Sequence, residues 1–586
     1  MPVHHRRGVK RGLWIPPSDD RKLRVAWSEV ETSLGSRRAR AAWAGFEIPT
    51  PAGGFLYGPT LGAAAVRAGA GRRSTVYTAT QGATAVTAGM TLAQINTAIA
   101  SAGAGAAIDW AAGTYPIGQY LYLASQTWTG LGAGAVLTGA EVVTPTYDSG
   151  QAKWKITGVP NLGAWWYSGR IGDERNLNNV NPSDMAGMKN QCFWGGAKLW
   201  QVTSIANLTA VNQPYGPGNF YHDTATGTIW LDPGLGNPAG HTVEISTYGE
   251  PVVYPSGGVS RANFTMRGMT VEKAGNGGQA QGAVSLRPGG HLVDCTVDNN
   301  HGTGIHMGYD LITVEHSTVT NNGLFNFHGG GANCAAFGNE VAYCETSGGN
   351  DAGYNWGWGA GESKWTYSEG LRIHHNWMHD GWGMGIWTDA ANVNALWEEN
   401  VVERIVGSGI DMELGTSTSN VPGTGHHVRH NYVEDCGHGL PLPLSHTNNT
   451  NGAGIFADQV RSVLIEYNWV IECNAGIGVQ QQPAGTYCPG TGYLQSESKW
   501  IWVHHNKVEQ SAGVAAGLST VSQVDPPASS YFSVPQITYE DNHYILDSLT
   551  ADRFKWMTGA GAINTRMAKA EWTSQGQDSG STFEVG

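Results

Sequence analysis

The chain has 586 residues, 83 of them glycine, a formal net charge of −13 and only 14% charged residues. This glycine content is about twice the usual share of roughly 7%, as in turn-rich β-structure, and the length allows a large core or several domains. No stretch approaches 18 consecutive apolar residues, which excludes a membrane-spanning helix. The seven cysteines lack metal-binding spacing, so we expect buried free thiols and neither a metal nor a cofactor.

Residues 1–75 carry an unusual share of the positive charge. They hold 13 Lys and Arg against 5 Asp and Glu, a net charge of +8, whereas the rest of the chain has a net charge of −21. They show no repeat, and they lack the apolar segment of a secretory signal. A basic segment ahead of an acidic body favours an attachment arm, for example to an acidic surface or nucleic acid, over a merely solvated tail.

The next two segments predict different β-structure. In residues 76–144, Thr91 and Gln94 have the spacing of a capping box, and the apolar residues after Thr91 fit a short helix. Such a helix would cover the open edge of the first β-coil. Residues 145–250 alternate without a repeat, which predicts antiparallel hairpins in a β-rich insertion.

Residues 251–548 repeat one phrase, a small polar residue followed two places later by an apolar one. The core period is about 22 to 24 residues, and longer spacings indicate loops inserted at fixed corners. Short alternations broken by glycine indicate strands and turns. We therefore expect an all-β fold, a right-handed single-stranded parallel β-helix with an asparagine ladder, over which the tail 549–586 folds back. The ladder positions are Cys295, Ser317, Asn339, Asn376, Asn400, Asn431, Asn468, Asn506 and Asn542.

Strand parity predicts which side chains leave the solenoid. Side chains alternate between faces, so if Ile386 and Ile410 point inward, Asp389 and Glu413 point outward on neighbouring coils, about 4.8 Å apart. On the strand before Asn376, the same rule requires either His374 or His375 to point inward. The outward residues form two exposed columns, with His306, Trp387, Asp411 and Phe456 in one and Asp389, Glu413, Asp458 and Gln480 in the other.

Stacked acids repel each other, which suggests a functional reason for this column. Glycoside hydrolysis uses two carboxyl groups, one as general acid and the other as nucleophile or base. Neighbouring coils favour the separation of about 5 to 5.5 Å found in retaining enzymes, whereas Asp389 with Asp458, two coils apart, would suit inversion. The alternatives are a solvated acidic face and a cation site.

Further residues are candidates for substrate contacts. Glu362 and Lys364 precede Asn376 by a distance that places them on the same face, where they would bind hydroxyls or a carboxylate, although a surface loop pair explains them equally well. The inserted loops would wall the groove, and Trp356 and Trp358 are candidate platforms for sugar rings.

Trp387-x-Asp389 followed one coil later by Gly409-Ile-x-x-Glu413 resembles the right-handed, pectate-lyase-like β-helix glycoside hydrolases, notably β-xylosidase family 120. The resemblance implies that Asp389 is the nucleophile and Glu413 the acid/base. It is motif-specific only across residues 360–415, and a shared fold does not by itself give function.

The basic arm, the lack of an export signal and the glycine-rich β-helix together resemble bacteriophage tail spikes and minor tail proteins. This resemblance implies a virion-tail location, docking of residues 1–75 onto tail proteins, a homotrimer, and binding or cleavage of host surface polysaccharide rather than of nucleic acid. The alternatives are a non-enzymatic adhesin with the same fold and a polysaccharide lyase with Lys364 as base. The acidic groove favours a neutral or basic glycan.

Overall fold

The chain divides into two compact units, Met1–Tyr57 and Gly58–Gly586, and all described residues belong to the second. Most of the predicted arm, in the first unit, and Trp356 and Trp358, in the second, lie outside the described residues. The computed structural model describes residues 58–119, 121–122, 125–163, 188–209, 217–254, 263–278, 281–344, 361–417, 424–438, 452–481, 498–520, 537–556 and 566–586.

Three long sheets, which we call A, B and C, run side by side through the described residues. Sheet A consists of Thr84–Val86, Ala107–Trp110, Thr127–Gly130, Thr265–Arg267, His291–Val293, Thr313–Glu315, Ala335–Phe337, Arg372–His374, Leu396–Glu398, His426–Arg429, Arg461–Glu466, Lys499–His504 and Ile537–Glu540. Sheet B consists of Gly113–Pro116, Ala135–Thr138, Thr270–Glu272, Thr296–Asp298, Thr318–Thr320, Glu340–Ala342, Trp377–His379, Val401–Glu403, Tyr432–Glu434, Trp469–Ile471, Lys507–Gln510, His543–Leu546 and Thr582–Val585.

Sheet C carries the acidic strands. It consists of Leu121–Tyr122, Val253–Tyr254, Val284–Ser285, Ile305–Met307, Phe325–Gly329, Gly361–Thr366, Met384–Asp389, Ile410–Glu413, Ala453–Asp458, Ala475–Gln481, Val514–Thr520, Phe554–Lys555 and Arg566–Met567. In the regular part each coil gives one strand to A, one to B and one to C, and each strand pairs in parallel with its counterpart in the next coil. The predicted parallel β-helix is therefore confirmed.

The interior is an apolar stack that confirms the predicted strand parity. Ile386 pairs in register with Ile410, which pairs with Ile455, and each is fully buried in the main core. Trp387 and Phe456 are absent from that core although they are buried too. Because they alternate with the isoleucines, they lie on the opposite face of sheet C.

The asparagine ladder forms as predicted at the corner between sheets A and B. Asn400 Oδ1 accepts hydrogen bonds from the backbone N–H of Asn376 at 3.1 Å and from its side-chain amide at 3.0 Å. The same pattern continues to Asn542. The residue before each of these asparagines has a left-handed backbone, with φ of 57° at His375. This bend interrupts strand alternation, so the prediction of an inward histidine was wrong: Ile373 points inward, and His374 and His375 are both partly exposed.

In the described part of the chain, two helices precede the regular coils. The first, α1 (Gly58–Gly69), packs Ala63 and Val66 on Val401 and Tyr432 of sheet B. The second, α2 (Leu92–Ala102), has the predicted capping box and buries its apolar face in the main core.

The segment after α1 continues along sheet B toward the first coils. Arg72 donates hydrogen bonds to Thr270 Oγ1 at 3.2 Å and to the Gly268 carbonyl at 3.0 Å. Residues 58–73, which the sequence analysis included in the arm, therefore lie against the solenoid.

The strand pairs of the insertion are antiparallel, as its alternation predicted, with one exception. One sheet contains Ala140–Val143, Cys192–Trp194, Ala197–Lys198 and Val243–Ser246; the other contains Thr146–Asp148, Lys153–Thr157, Trp200–Gln201, Asn219–Asp223 and Thr228–Leu231. The latter includes one parallel pair, between its strands at Trp200 and Asn219. Short 3₁₀ turns span Ile205–Asn207 and Pro233–Leu235. The insertion has an apolar core of its own.

The chain ends on the solenoid. Helix α3 (Lys569–Ser574) buries Trp572 in the main core, and the last strand pairs with His543–Leu546 of sheet B. All six described cysteines are free and buried. Among the described helices, none is both long and apolar enough to cross a bilayer.

Candidate active site

The first outward column of sheet C is a closed stack of large side chains. Register pairs Lys364 with Trp387, Trp387 with Asp411, and Asp411 with Phe456. Each of the four is at most 3% exposed. The expectation of an exposed column was therefore wrong for these four residues.

The second outward column holds the remaining acids. Asp389 pairs with Thr366 on the preceding strand, and Glu413 pairs with Asp458, which pairs with Gln480. Because each of Asp389 and Glu413 lies two places beyond a member of the Trp387–Asp411 pair, they occupy neighbouring coils on the same face. Both are partly exposed, whereas Asp458 and Gln480 are buried.

Lys364 links the two columns. Its Nζ lies 2.9 Å from Asp389 Oδ2 and 3.5 Å from the centroid of the Trp387 ring. Only 3% of the Lys364 side chain is exposed, against 15% for Asp389. A charge-assisted contact at this depth is screened little by water, so it fixes the Asp389 carboxylate and supplies its counter-charge.

Trp387 connects this ion pair to the second acid. Its indole N–H donates a hydrogen bond to Glu413 Oε2 at 3.1 Å. One aromatic ring therefore contacts the lysine that holds Asp389 and orients Glu413. Asp389, Lys364, Trp387 and Glu413 form a connected set, which we call the acid pair and its supports.

Asp411 lies beside the acid pair, in the neighbouring outward column of sheet C. Burial raises its pKa well above the usual range, and the nearby carboxylates of Glu413, Asp458 and Asp389 raise it further. Its Oδ1 has no hydrogen-bond partner among the described residues. Ionisation of Asp411 is therefore disfavoured next to the other three carboxyl groups.

Asp458 extends the acidic group by one coil. Gln480 Nε2 donates to Asp458 Oδ2 at 3.3 Å. Asp458 is only 5% exposed, so its carboxylate is less accessible than those of Asp389 and Glu413.

Glu362, expected to contact substrate, is fully buried instead. Its Oε1 accepts a hydrogen bond from the backbone N–H of Cys344 at 3.0 Å, and its Oε2 contacts the amide of Asn326. Burial raises the pKa of Glu362 to about 7, an effect that these hydrogen bonds oppose. The Glu362 carboxyl is held by these contacts with Cys344 and Asn326 and does not extend toward Asp389.

His306, also a candidate, is partly exposed two strands before Lys364. Its ring stacks on that of His328, with centroids 5.7 Å apart. His328 was missed by the sequence analysis, although its position in the repeat places it between His306 and Lys364.

No cation site accompanies these acids in the described part of the chain. There, no group of three or more His, Cys, Asp or Glu side chains has an arrangement that could hold a metal ion.

Comparison with known proteins identifies the architecture. A family model described as a right-handed β-helix region matches residues 257–450. The chain is a right-handed parallel β-helix. None of the curated proteins matches the sequence of this β-helix protein.

Several solved structures are similar to this chain at low sequence identity. The complex of XylC with xylose is 14% identical, with a TM-score of 0.54 over 79% of this chain and 82% of that chain. A structure described as a glycoside hydrolase is 11% identical, with a TM-score of 0.36 over 82% and 94%. The tailspike gp61 of Pseudomonas phage phi297 is 10% identical, with a TM-score of 0.28 over 78% and 72%. At these identities the likeness concerns the fold alone.

Proposed function

We propose that this β-helix protein is a glycoside hydrolase that binds and cleaves a cell-surface polysaccharide through Asp389 and Glu413. The observation that carries the proposal is the acid pair and its supports. Two partly exposed carboxyl groups lie on neighbouring coils, one ion-paired to a buried lysine and the other held by an indole N–H. A solvated acidic face would not need these buried supports.

The proposed first step forms a glycosyl-enzyme. An Asp389 oxygen attacks the anomeric carbon while Glu413 gives its proton to the leaving glycosidic oxygen, so one C–O bond forms as the other breaks. In the second step Glu413 takes a proton from water, and the water oxygen displaces Asp389 from the sugar. A spacing of one coil, about 4.8 Å, favours this retaining course over inversion.

The residues around the pair have supporting roles in this scheme. Lys364 balances the charge of Asp389 before attack, and Trp387 orients Glu413 toward the leaving group. The raised pKa of Asp411 favours its protonated form, which would limit repulsion beside the acid pair. Lys364 is already paired with Asp389, which argues against its use as the base of a polysaccharide lyase.

We place this activity on a phage tail, where the basic N-terminal unit would dock onto other tail proteins and the solenoid would act as a homotrimer. The support is the charge of that unit. Residues 1–57 hold 10 Lys and Arg against 5 Asp and Glu. Arg67 and Arg72, which also fall within the predicted arm of residues 1–75, contact the solenoid instead.

The test compares Asp389→Asn and Glu413→Gln with wild type on host cell-surface polysaccharide. Each variant should lose at least about 100-fold in the release of reducing ends, since it removes one of the two groups that the chemistry needs. Binding and circular dichroism should be unchanged. Asp435→Asn, at a residue with a 57% exposed side chain just after the strand Tyr432–Glu434 of sheet B, is the matched control. The first product should retain its anomeric configuration by NMR.

Other results would redirect the proposal. Cleavage at the wild-type rate by either variant would exclude this pair. An unsaturated product end, detected by ultraviolet absorbance, would indicate a lyase. Binding without cleavage by the wild-type protein would indicate an adhesin.

A further inference from the structure

A lane of partly exposed residues leads from the acid pair toward the N-terminal coils. Asp389 pairs with Thr366, and extending the register of the earlier strands of sheet C by one or two residues continues this column through Gly330 and Gly308 to Arg287. All five residues are partly exposed, whereas the parallel column beside them is largely buried. Four strand steps separate Arg287 from Asp389, or about 19 Å. The lane is long enough to hold several sugar units of one chain.

Arg287 supplies a positive charge at the far end of this lane. Its guanidinium lies 4.4 Å from the centroid of the Tyr309 ring, and its Nη1 contacts the Tyr309 hydroxyl. Its Nε is buried without a hydrogen-bond partner among the described residues. Within the described residues, no carboxylate forms an ion pair with the Arg287 guanidinium. Tyr309 therefore fixes the guanidinium while leaving its charge uncompensated.

Two neutral histidines lie between Arg287 and the acid pair, His306 close to Arg287 and His328 one strand farther on. Burial, reinforced by the charge of Arg287, lowers the pKa of His306 to about 4, and burial also lowers that of His328. Nδ1 of His328, a residue only 9% exposed, has no partner among the described residues. The histidines thus offer hydrogen bonds to hydroxyl groups without adding charge, and Arg287 is the fixed cation among these three residues.

We propose that Arg287, with His306 and His328, forms a subsite that binds the carboxylate of an acidic sugar residue about four strand steps from the cleaved bond. A guanidinium fork matches a carboxylate in geometry and charge. The acids at one end of the lane and Arg287 at the other give the substrate a direction, with its uronate toward the N-terminal coils. This replaces the expectation of a neutral or basic glycan, which considered only the acidic end. The inference rests on the proposed function, because it assumes that the glycan occupies this lane.

The test measures binding of defined oligosaccharides by the full chain. Oligomers containing glucuronate, galacturonate, mannuronate or guluronate are each paired with the same oligomer after reduction of its carboxyl groups to alcohols. For at least one pair, wild type should bind the uronate form about tenfold more tightly, as expected for one charge-assisted contact. Arg287→Ala should abolish this preference, and Arg287→Lys should retain part of it. Arg372→Ala, at an exposed arginine on sheet A, should leave it unchanged.

Two results would overturn the subsite. One is equal binding of both members of every pair by wild type, and the other is a preference that survives Arg287→Ala. The Asp389→Asn variant distinguishes failure of the Arg287 subsite from failure of the proposed hydrolase activity. It should retain the Arg287-dependent preference while losing cleavage, so a subsite on a non-hydrolytic protein would still be detected.

Discussion

At the scale of single residues, the site depends on which outward side chains are open to solvent. Parity along the repeat was sufficient to predict that Asp389 and Glu413 lie side by side. It could not predict that Lys364 and Trp387 are buried in the column beside them, because burial depends on packing between coils and not on alternation along one strand. Arg287 was missed for a related reason, since its strand was not aligned with the later glycine-isoleucine strands.

The burial of Glu362 predicts that the free energy of unfolding depends on pH. Its pKa is about 7 in the folded protein against 4.5 when exposed, so the folded state binds this proton more tightly than the unfolded state. Its contribution is therefore most favourable below pH 4.5 and is lost as the pH rises to 7, by about 3 kcal/mol. Glu362→Gln cannot ionise, so its stability relative to wild type should increase across that window.

The measurement is the free energy of unfolding in denaturant at several pH values between 4 and 8. Glu141→Gln, at an exposed residue of the insertion, controls for the substitution itself and should follow wild type. A constant difference between Glu362→Gln and wild type over this range would show that Glu362 does not bind its proton more tightly on folding.

At the scale of the coil, the ladder asparagines determine where each turn is made. The period and the position of the ladder could be predicted from the sequence, because buried amides that hydrogen-bond from coil to coil must recur once per repeat. The left-handed residue before each asparagine could not, since histidine, glutamate and tyrosine all occupy it. This is why the prediction from strand alternation was wrong at His374 and His375 but correct within sheet C.

Removal of one ladder amide should therefore weaken the solenoid. Asn400→Ala deletes the acceptor for two donors of Asn376 and the amide that donates to the Ile373 carbonyl at 2.9 Å. Because the groups left behind are buried, the cost should be about 2 to 4 kcal/mol. Asn96→Ala is the matched control, since the side chain of Asn96 on α2 makes no hydrogen bond within the described structure. Equal denaturation midpoints for the two variants would contradict a stabilising role for the ladder.

At the scale of the whole molecule, the chain combines a basic N-terminal unit with an acidic solenoid. Composition predicted this division, but not its position. Helix α1 is short and contains no acidic residue in its first turn, so nothing local indicated that it would pack on Tyr432, far along the sequence. Contacts of this kind follow from the complete shape of sheet B and not from the residues of the helix alone.

Two truncations should separate attachment from catalysis. Removal of residues 1–57 should preserve glycan cleavage and thermal stability while abolishing incorporation into tail particles. Removal of residues 1–75 should in addition expose Val401 and Tyr432 and delete the Arg72 contacts, lowering stability by a few kcal/mol. Stability is read from thermal unfolding and incorporation from particle composition. Normal incorporation of the shorter truncation would refute docking through this unit.

The position of α1 also affects how the molecule would bear a load. Tension applied at Gly58 would reach the rod near Val401 and Tyr432, partway along its length, rather than at its first coil. Such tension would first act on the packing of α1 against sheet B and not on the hydrogen bonds of the terminal strands.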